Sequence, residues 1–259
     1  ICRLRWGRAA RKFFLIQLYA GWLSTHFIFG EKTKMFPLDK FFPWKPHIML
    51  SYFPDERYIH KSQKVFNPKK ITLCYTGVFS KEKGIENFLY SANAFRRKRP
   101  DINLSLLLIG TSKKGEEDFF SQLLQKFKFE NITVRHSAKF EDFTKSYSDA
   151  DICFDLREKN FENDRCLPIK IFYYAGSGKP VIYTDLAAIH QHIDIAKFGF
   201  TVNPADFVLI ANLIESYIDN PALYRQHSEN ATALFHQKYN WNQIREIFVN
   251  FVVNSFAKK

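Results

Sequence analysis

The stretch "YYAGSGKPVIYTD", residues 173–185, carries Gly176-Ser177-Gly178-Lys179, the letters of a phosphate-cradling loop. Such a loop reads G-x-x-x-x-G-K-[ST] and runs strand, loop, helix, so that amides at a helix N-terminus face the phosphates. Here the position five before Gly178 is Tyr173, and Lys179 is followed by Pro180, which offers neither a hydroxyl nor an N–H. Val181-Ile182-Tyr183 then reads as a strand, being β-branched and aromatic. The order is therefore helix, tight turn, strand, the reverse of a phosphate loop. Gly178 is placed to end the helix, and Lys179 is expected to face solvent.

Outward from this unit the same alternation repeats. "ITLCYTG" (71–77) is a short apolar run ending in glycine, and "GIENFLYSANAFRRKR" (84–99) spaces Ile85, Phe88, Leu89, Ala92 and Phe95 at helical intervals. "NLSLLLIG" (103–110), "NITVRHS" (131–137) and "DICFDL" (151–156) read as further strands, with helices over 115–129 and 141–148 between them. The charged loop "REKNFENDRCLP" follows, then the helix and strand of the opening stretch, then a sixth strand at 198–204. Helical stretches near 205–219, 221–238 and 241–256 close the chain. Strands that are mostly apolar, alternating with helices, predict a doubly wound, Rossmann-like α/β domain with a parallel sheet covered on both faces.

The chain has 259 residues, 46% of them apolar, enough for one large or two small domains. Cys2, Cys74, Cys153 and Cys166 show no C-x-x-C spacing, so a reducing, cytoplasmic setting fits better than a disulfide framework. The net charge of +12 is uneven: residues 1–70 hold 14 Lys/Arg against 4 Asp/Glu, and residues 71–259 hold 24 against 22. No helix-turn-helix, RNP, KH or zinc pattern accompanies the basic part, so a nucleic-acid partner is not expected. Residues 3–23 mix Arg and Lys with Phe, Tyr and Trp, which suits a peripheral contact with the inner face of a membrane or an ordinary amphipathic domain helix. The uncharged run from Phe13 to Phe29 includes Gln17, Ser24, Thr25 and His26, short of the ~20 mainly apolar residues a span needs.

Doubly wound sheets bind ligands beyond the carboxyl ends of their strands. Gly77 to Gly84, Gly110, the charged loop and Thr184-Asp185 occupy those places. "GVFSKEKG" lacks the glycine triplet of a dinucleotide site, which disfavours NAD and FAD, and no Ser-His-Asp or Cys-His set is readable. His190, His192 and Asp194 suggest a metal cluster only by proximity in sequence; no metal is expected.

"YTGVFSKEKGIENFLYSANAF", "LLLIG", "YSDADICF" and "LPIKIFYYAGSGKPVIYTD", in that order, resemble the C-terminal half of GT-B glycosyltransferases, closest to the family-4-like group that decorates bacterial surface polysaccharides. "GFTVNPADFVLIANLIESYIDNP" and "YNW" agree with its tail, and "HIMLSYFPDERYI" (47–59) resembles its crossing between domains. The resemblance implies a nucleotide-sugar donor domain over residues 71–259, with the last helix returning toward a first, acceptor-side domain of which residues 1–70 are the remnant and connection. It implies transfer of a hexose from a nucleoside diphosphate to a glycan or lipid-linked acceptor, with retention and without a cofactor, and predicts that this chain alone is inactive.

The resemblance also assigns residues. Gly77 and Lys83-Gly84 match the family's G-R-x-x-x-x-K-G turn, glycine admitting the diphosphate and lysine supplying charge, but Val78 stands where the family has arginine. Lys170 matches the lysine that opens the donor-facing helix; it and Lys83 are placed where removal leaves the core closed. Tyr173 stands where a glutamate grips the ribose, and Arg165 where the paired glutamate falls eight residues earlier. Glu158, Glu162 or Asp164 can substitute, and spacing alone does not choose among them; the resemblance identifies no catalytic residue, with Arg165 and Glu158 as candidates, and Arg165 is alternatively a phosphate contact replacing the arginine absent at Val78. His136 is placed to line a base pocket. The altered residues also allow a degenerate, non-catalytic sugar-nucleotide-binding protein.

Overall fold

A computed structural model describes the backbone of residues 8–62 and 64–256, and the side chains of these apart from residues 8–11, 33 and 256. Residues 3–7 of the basic aromatic stretch lie outside the described residues. The chain divides into two units, residues 53–243 and residues 1–52 with 244–259.

In the smaller unit, α1 (Arg8–Leu23) leads to β1 (Phe27–Phe29), α2 (Leu38–Phe41) and β2 (His47–Met49), and the two strands pair in parallel, Phe27 with His47 and Phe29 with Met49. Phe27, Phe29 and Phe42 form its core, with Leu18, Leu38 and Met49 against them. The uncharged run from Phe13 to Phe29 is thus a helix, a turn and a strand rather than one segment. Lys45 Nζ donates to the carbonyls of Gly21 (2.7 Å) and Trp22 (2.9 Å), meeting α1 where its last carbonyls lack partners.

The larger unit begins with β3 (Lys70–Phe79), α3 (Ile85–Lys98), β4 (Asn103–Ser112), α4 (Glu117–Phe127), β5 (Ile132–Arg135) and α5 (Phe143–Ser146). It continues with β6 (Ile152–Asp155), α6 (Phe161–Asp164), α7 (Lys170–Gly176), β7 (Val181–Thr184), α8 (Ala187–His192), β8 (Gly199–Val202), α9 (Phe207–Asp219) and α10 (Pro221–Lys238). The last helix, α11 (Trp241–Phe256), starts here, and its residues from Ile244 belong to the smaller unit.

The six strands of the larger unit form one sheet in the order β5-β4-β3-β6-β7-β8, every pair parallel. Leu73 and Tyr75 join one core with Phe88 of α3 and Ile214 of α9; Cys74 joins the other, with Ile171 of α7 and Phe235 of α10. Both faces are therefore buried, which is why the strands read as apolar runs. Helix ends follow their sequence signals: Glu86 lies in the first turn of α3 and Arg96, Arg97 and Lys98 in its last, while Asn220 caps Leu223 N at 3.2 Å before Pro221 opens α10.

The larger unit starts at residue 53, earlier than the boundary expected at 70. Thr144 Oγ1 accepts from His60 N (2.9 Å) and donates to Tyr58 O (2.8 Å), Ser62 Oγ donates to Ser148 O (2.7 Å), and Phe66 stacks on Tyr224 at 3.9 Å. These contacts hold the segment before β3 to α5, the turn after it and α10.

Candidate functional site

The sheet order reverses between β3 and β6: the chain moves from β3 through β4 to β5 on one side, then from β6 to β8 on the other. The β3–β6 ladder ends at Tyr75 with Phe154. Beyond that pair stand Thr76-Gly77 and Asp155-Leu156, with Lys170 at the first residue of α7. A crevice at such a switch is where doubly wound sheets take ligands.

Five residues meet there. Lys170 Nζ donates to Thr76 O and lies 3.5 Å from Asp155 Oδ2. A Cβ at Gly77 would come within 3.2 Å of the same Nζ. Arg157 grips Asp155 with two bonds, Nε to Oδ1 at 2.8 Å and Nη2 to Oδ2 at 2.5 Å. Burial alone would raise the Asp155 carboxyl; the charges of Arg157 and Lys170 and the bonds from Arg157 outweigh it and hold the group at about 2. Burial lowers Lys170, and Asp155 opposes that. The Lys170 side chain is 23% exposed and pairs with a buried carboxylate, so its removal disturbs the interior, contrary to the expectation that it leaves the core closed.

The first loop is tied to the same crevice. The Tyr75 hydroxyl meets the carbonyls of Val78 (2.8 Å) and Lys83 (2.9 Å). Gly84 has φ +83°, and a Cβ there would stand 2.0 Å from Leu156 O, so only glycine lets the chain turn this close to the end of β6. Glu158 N donates to Glu82 O at 3.1 Å, and Asn87 Nδ2 to Leu156 O at 2.9 Å. Lys83 and Glu82 pair at 2.8 Å, each 41% exposed.

Gly110 and His136 come together one strand over. Both line a cavity of about 210 Å³ with Phe79, Phe120 and Arg135. A Cβ on Gly110 would stand 1.8 Å from Gly77 O, so this glycine is required by the approach of β4 to β3. Tyr173, one turn beyond Lys170, is buried against the edges of Phe143 (5.4 Å) and Phe140 (5.8 Å), and burial pushes its hydroxyl up to about 12. Phe140 is 53% exposed and rests on Tyr58 at 4.8 Å. Arg165 is exposed, with its guanidinium 4.2 Å from the centroid of the Phe161 ring.

The turn that opened the sequence analysis closes as expected: Gly178 has φ +67°, its N–H reaches Ala175 O (3.0 Å) and Lys179 N reaches Tyr174 O (2.9 Å). The expectation that Lys179 faces solvent is overturned. Lys179 is buried, with Nζ donating to Ala150 O (2.6 Å) and Ser148 O (2.9 Å). His190 is engaged by Asp185, which also pairs with Lys159 at 3.1 Å. Among the described residues no three His, Cys, Asp or Glu are grouped to hold a metal ion, and no helix is long and apolar enough to cross a membrane.

Sequence reasoning missed Asp155 and Arg157. The available signal was their place: an acid and a base flanking Leu156, at the end of the strand next to the first.

The fold is a doubly wound, Rossmann-like parallel sheet with a crevice at its switch point. The family described as "Glycosyl transferases group 1" matches residues 56–234, and the chain belongs to it. No curated protein matches the chain. Among solved structures, the sucrose-phosphate synthase of Thermosynechococcus elongatus superposes with a TM-score of 0.76 at 17% identity, covering 99% of this chain and 65% of that one. Anabaena HepE in complex with UDP gives 0.76 at 14%, covering 95% and 68%. The C-terminal domain of the group 1 glycosyl transferase LpcC from Francisella tularensis gives 0.59 at 19%, covering 72% of this chain and 98% of that domain. The chain thus spans about two thirds of the first of these relatives.

Proposed function

We propose that this chain is the donor-binding part of a glycosyltransferase that moves a sugar from a nucleoside diphosphate to a hydroxyl of a glycan or lipid-linked acceptor, with retention. The observation that carries the reading is the position of Lys170: its ammonium lies beside the Cβ-less backbone of Gly77, at the point where the strand order reverses. A diphosphate there meets open main chain and a cation together, and charge developing on the leaving group is met by fixed donors. The UDP bound by HepE supports a nucleoside-diphosphate donor. In this reading the chemistry calls on lysine, arginine and backbone amides rather than on a metal or cofactor, and Glu158 and Arg165 remain the candidates for a direct role at the sugar.

A thermal-shift panel of UDP, GDP and CMP followed by calorimetry tests this. The chain is expected to bind one nucleoside diphosphate and, alone, to transfer no sugar. Binding of none of them overturns the reading, and sugar transfer by these 259 residues overturns the two-part account. One observation favours a second reading, a non-catalytic sugar-nucleotide-binding protein: Tyr173 offers no carboxylate and is buried among phenylalanines. Turnover by the chain joined to its acceptor-side domain decides between the two.

A further inference from the structure

We propose that Arg157 is a phosphate-binding cation of this site, supplied from the end of β6 in place of the arginine that the first loop lacks at Val78. The inference rests on the nucleoside-diphosphate reading above and adds a residue to it.

Arg157 follows the last residue of β6 by two positions, on the strand that borders the switch. It is 8% exposed. Asp155 fixes two of its nitrogens, Nε and Nη2, and thereby fixes the plane of the guanidinium. The third, Nη1, donates no hydrogen bond to any described residue. An arginine carries five N–H donors and cannot shed its charge, so an almost covered guanidinium with one end unused is set to receive an anion.

Its main chain is clamped as well. Thr184 Oγ1 donates to Arg157 O at 2.7 Å, and Arg157 N lies 2.6 Å from where a Cβ of Gly84 would stand. Gly84 is the N-cap of α3, a helix of 14 residues, and offers no side chain to the amides of the first turn. Arg157 is therefore held beside the start of a long helix whose first amides no side chain caps, and whose dipole favours an anion. Lys83 above all, then Lys113 and Arg157, hold the Glu82 carboxyl below its usual range, so the Arg157 charge reaches the first loop. Val78, 41% exposed, presents no cation from that loop. Arg165, the sequence-based candidate for this role, lies instead over the ring of Phe161.

The test compares Arg157→Lys, Arg157→Gln and Arg165→Lys with the wild type, using UDP and uridine as probes in calorimetry and ligand-detected NMR, with thermal unfolding in parallel. A lysine at 157 brings one nitrogen, which Asp155 claims; the internal pair survives and the outward contact is lost. Arg157→Lys is expected to fold, to bind UDP about tenfold more weakly and to bind uridine as the wild type does. Arg165→Lys is expected to change UDP affinity less than about twofold, because UDP lacks the sugar at which Arg165 is a candidate and an exposed charge is screened. Should Arg157→Gln fail to fold, the lysine variant carries the test. Unchanged UDP affinity in Arg157→Lys, or equal loss of UDP and uridine, overturns the role of Arg157 and leaves the donor reading standing. A wild type that binds neither UDP nor GDP overturns both.

Discussion

Lys170 and Lys179 flank the same short helix, and each donates to main-chain carbonyls, Lys170 at the switch point and Lys179 away from it. Lys179 spends its ammonium inside the protein, on the carbonyls of Ala150 and Ser148. Lys179→Ala is therefore expected to lower stability by roughly 1.5–3 kcal/mol, the range for bonds from a charged donor. That corresponds to a fall of about 2–4 °C in Tm per kcal/mol for a domain of this size, read by calorimetric melting; an unchanged Tm contradicts the buried role. Lys83 is half-buried, and its ammonium pairs with its half-buried neighbour Glu82. Lys83→Ala is expected to leave Tm within about 1 °C and to weaken nucleoside-diphosphate binding roughly tenfold or more. Asp155 adds a pH dependence whose sign is fixed. Its carboxyl stands at about 2 in the fold against an ordinary 3.8, so ionised Asp155 contributes its full stability above the ordinary value. That contribution is lost as the pH falls from there through about 2. Asp155→Asn should be less stable than the wild type at neutral pH yet lose stability less steeply in that acid window, by up to about 1.4 kcal/mol per pH unit for one proton. Parallel acid limbs in urea melts of the two proteins contradict the assignment.

At the scale of elements, the sheet is held in register by absent side chains as much as by present ones. Gly110 has no room for a Cβ because the Gly77 carbonyl fills the place, at 1.8 Å. The obstacle is backbone of the central strand, which cannot swing aside as a side chain can. Gly110→Ala is expected to destabilise the chain by about 3 kcal/mol or more, the upper end for overpacking. Gly115, by contrast, has φ +86° and nothing within 4 Å of a Cβ, so Gly115→Ala should cost only the left-handed strain of about 1–2 kcal/mol. Comparing the two midpoints in denaturant separates close approach from backbone strain; equal losses contradict the distinction. The elements themselves were largely legible in the sequence, because apolar runs, helical spacing and capping residues are local signals. The helix Pro221–Lys238 begins at the proline and ends where periodicity placed it. The pair of β1 and β2, three residues each, was not legible: such short strands carry no period, and their pairing depends on contacts far apart in sequence.

At the scale of the whole molecule, the places of the candidate site's residues in the fold were legible where they depend on chain order and hidden where they depend on packing. Gly77, Gly84 and Lys170 could be placed because the crevice lies after strands and before helices. The burial of Lys179, the aromatic seat of Tyr173 and the Asp155–Arg157 pair could not, since each is set by what another strand or helix brings alongside. The distribution of charge, in contrast, is a property of the sequence that the structure gives a surface. On the smaller unit Phe13, Ile16, Tyr19 and Trp22 of α1 are each more than 60% exposed, and so is Trp44; residues 1–52 carry nine Lys/Arg against two Asp/Glu. Apolar and aromatic side chains among basic ones bind anionic bilayers by burial in the interface together with attraction to headgroups. The chain is therefore expected to float with phosphatidylglycerol vesicles and not with neutral phosphatidylcholine vesicles. Salt of about 0.5 M, where the Debye length falls to roughly 4 Å, should release most of it. Trp22→Ala with Trp44→Ala should weaken flotation even at low salt, since removing two indoles takes away interfacial burial and leaves the charge untouched. Equal partitioning onto both vesicle types, or none onto either, contradicts a membrane contact; salt release with no effect of the two tryptophans reduces it to electrostatic adsorption.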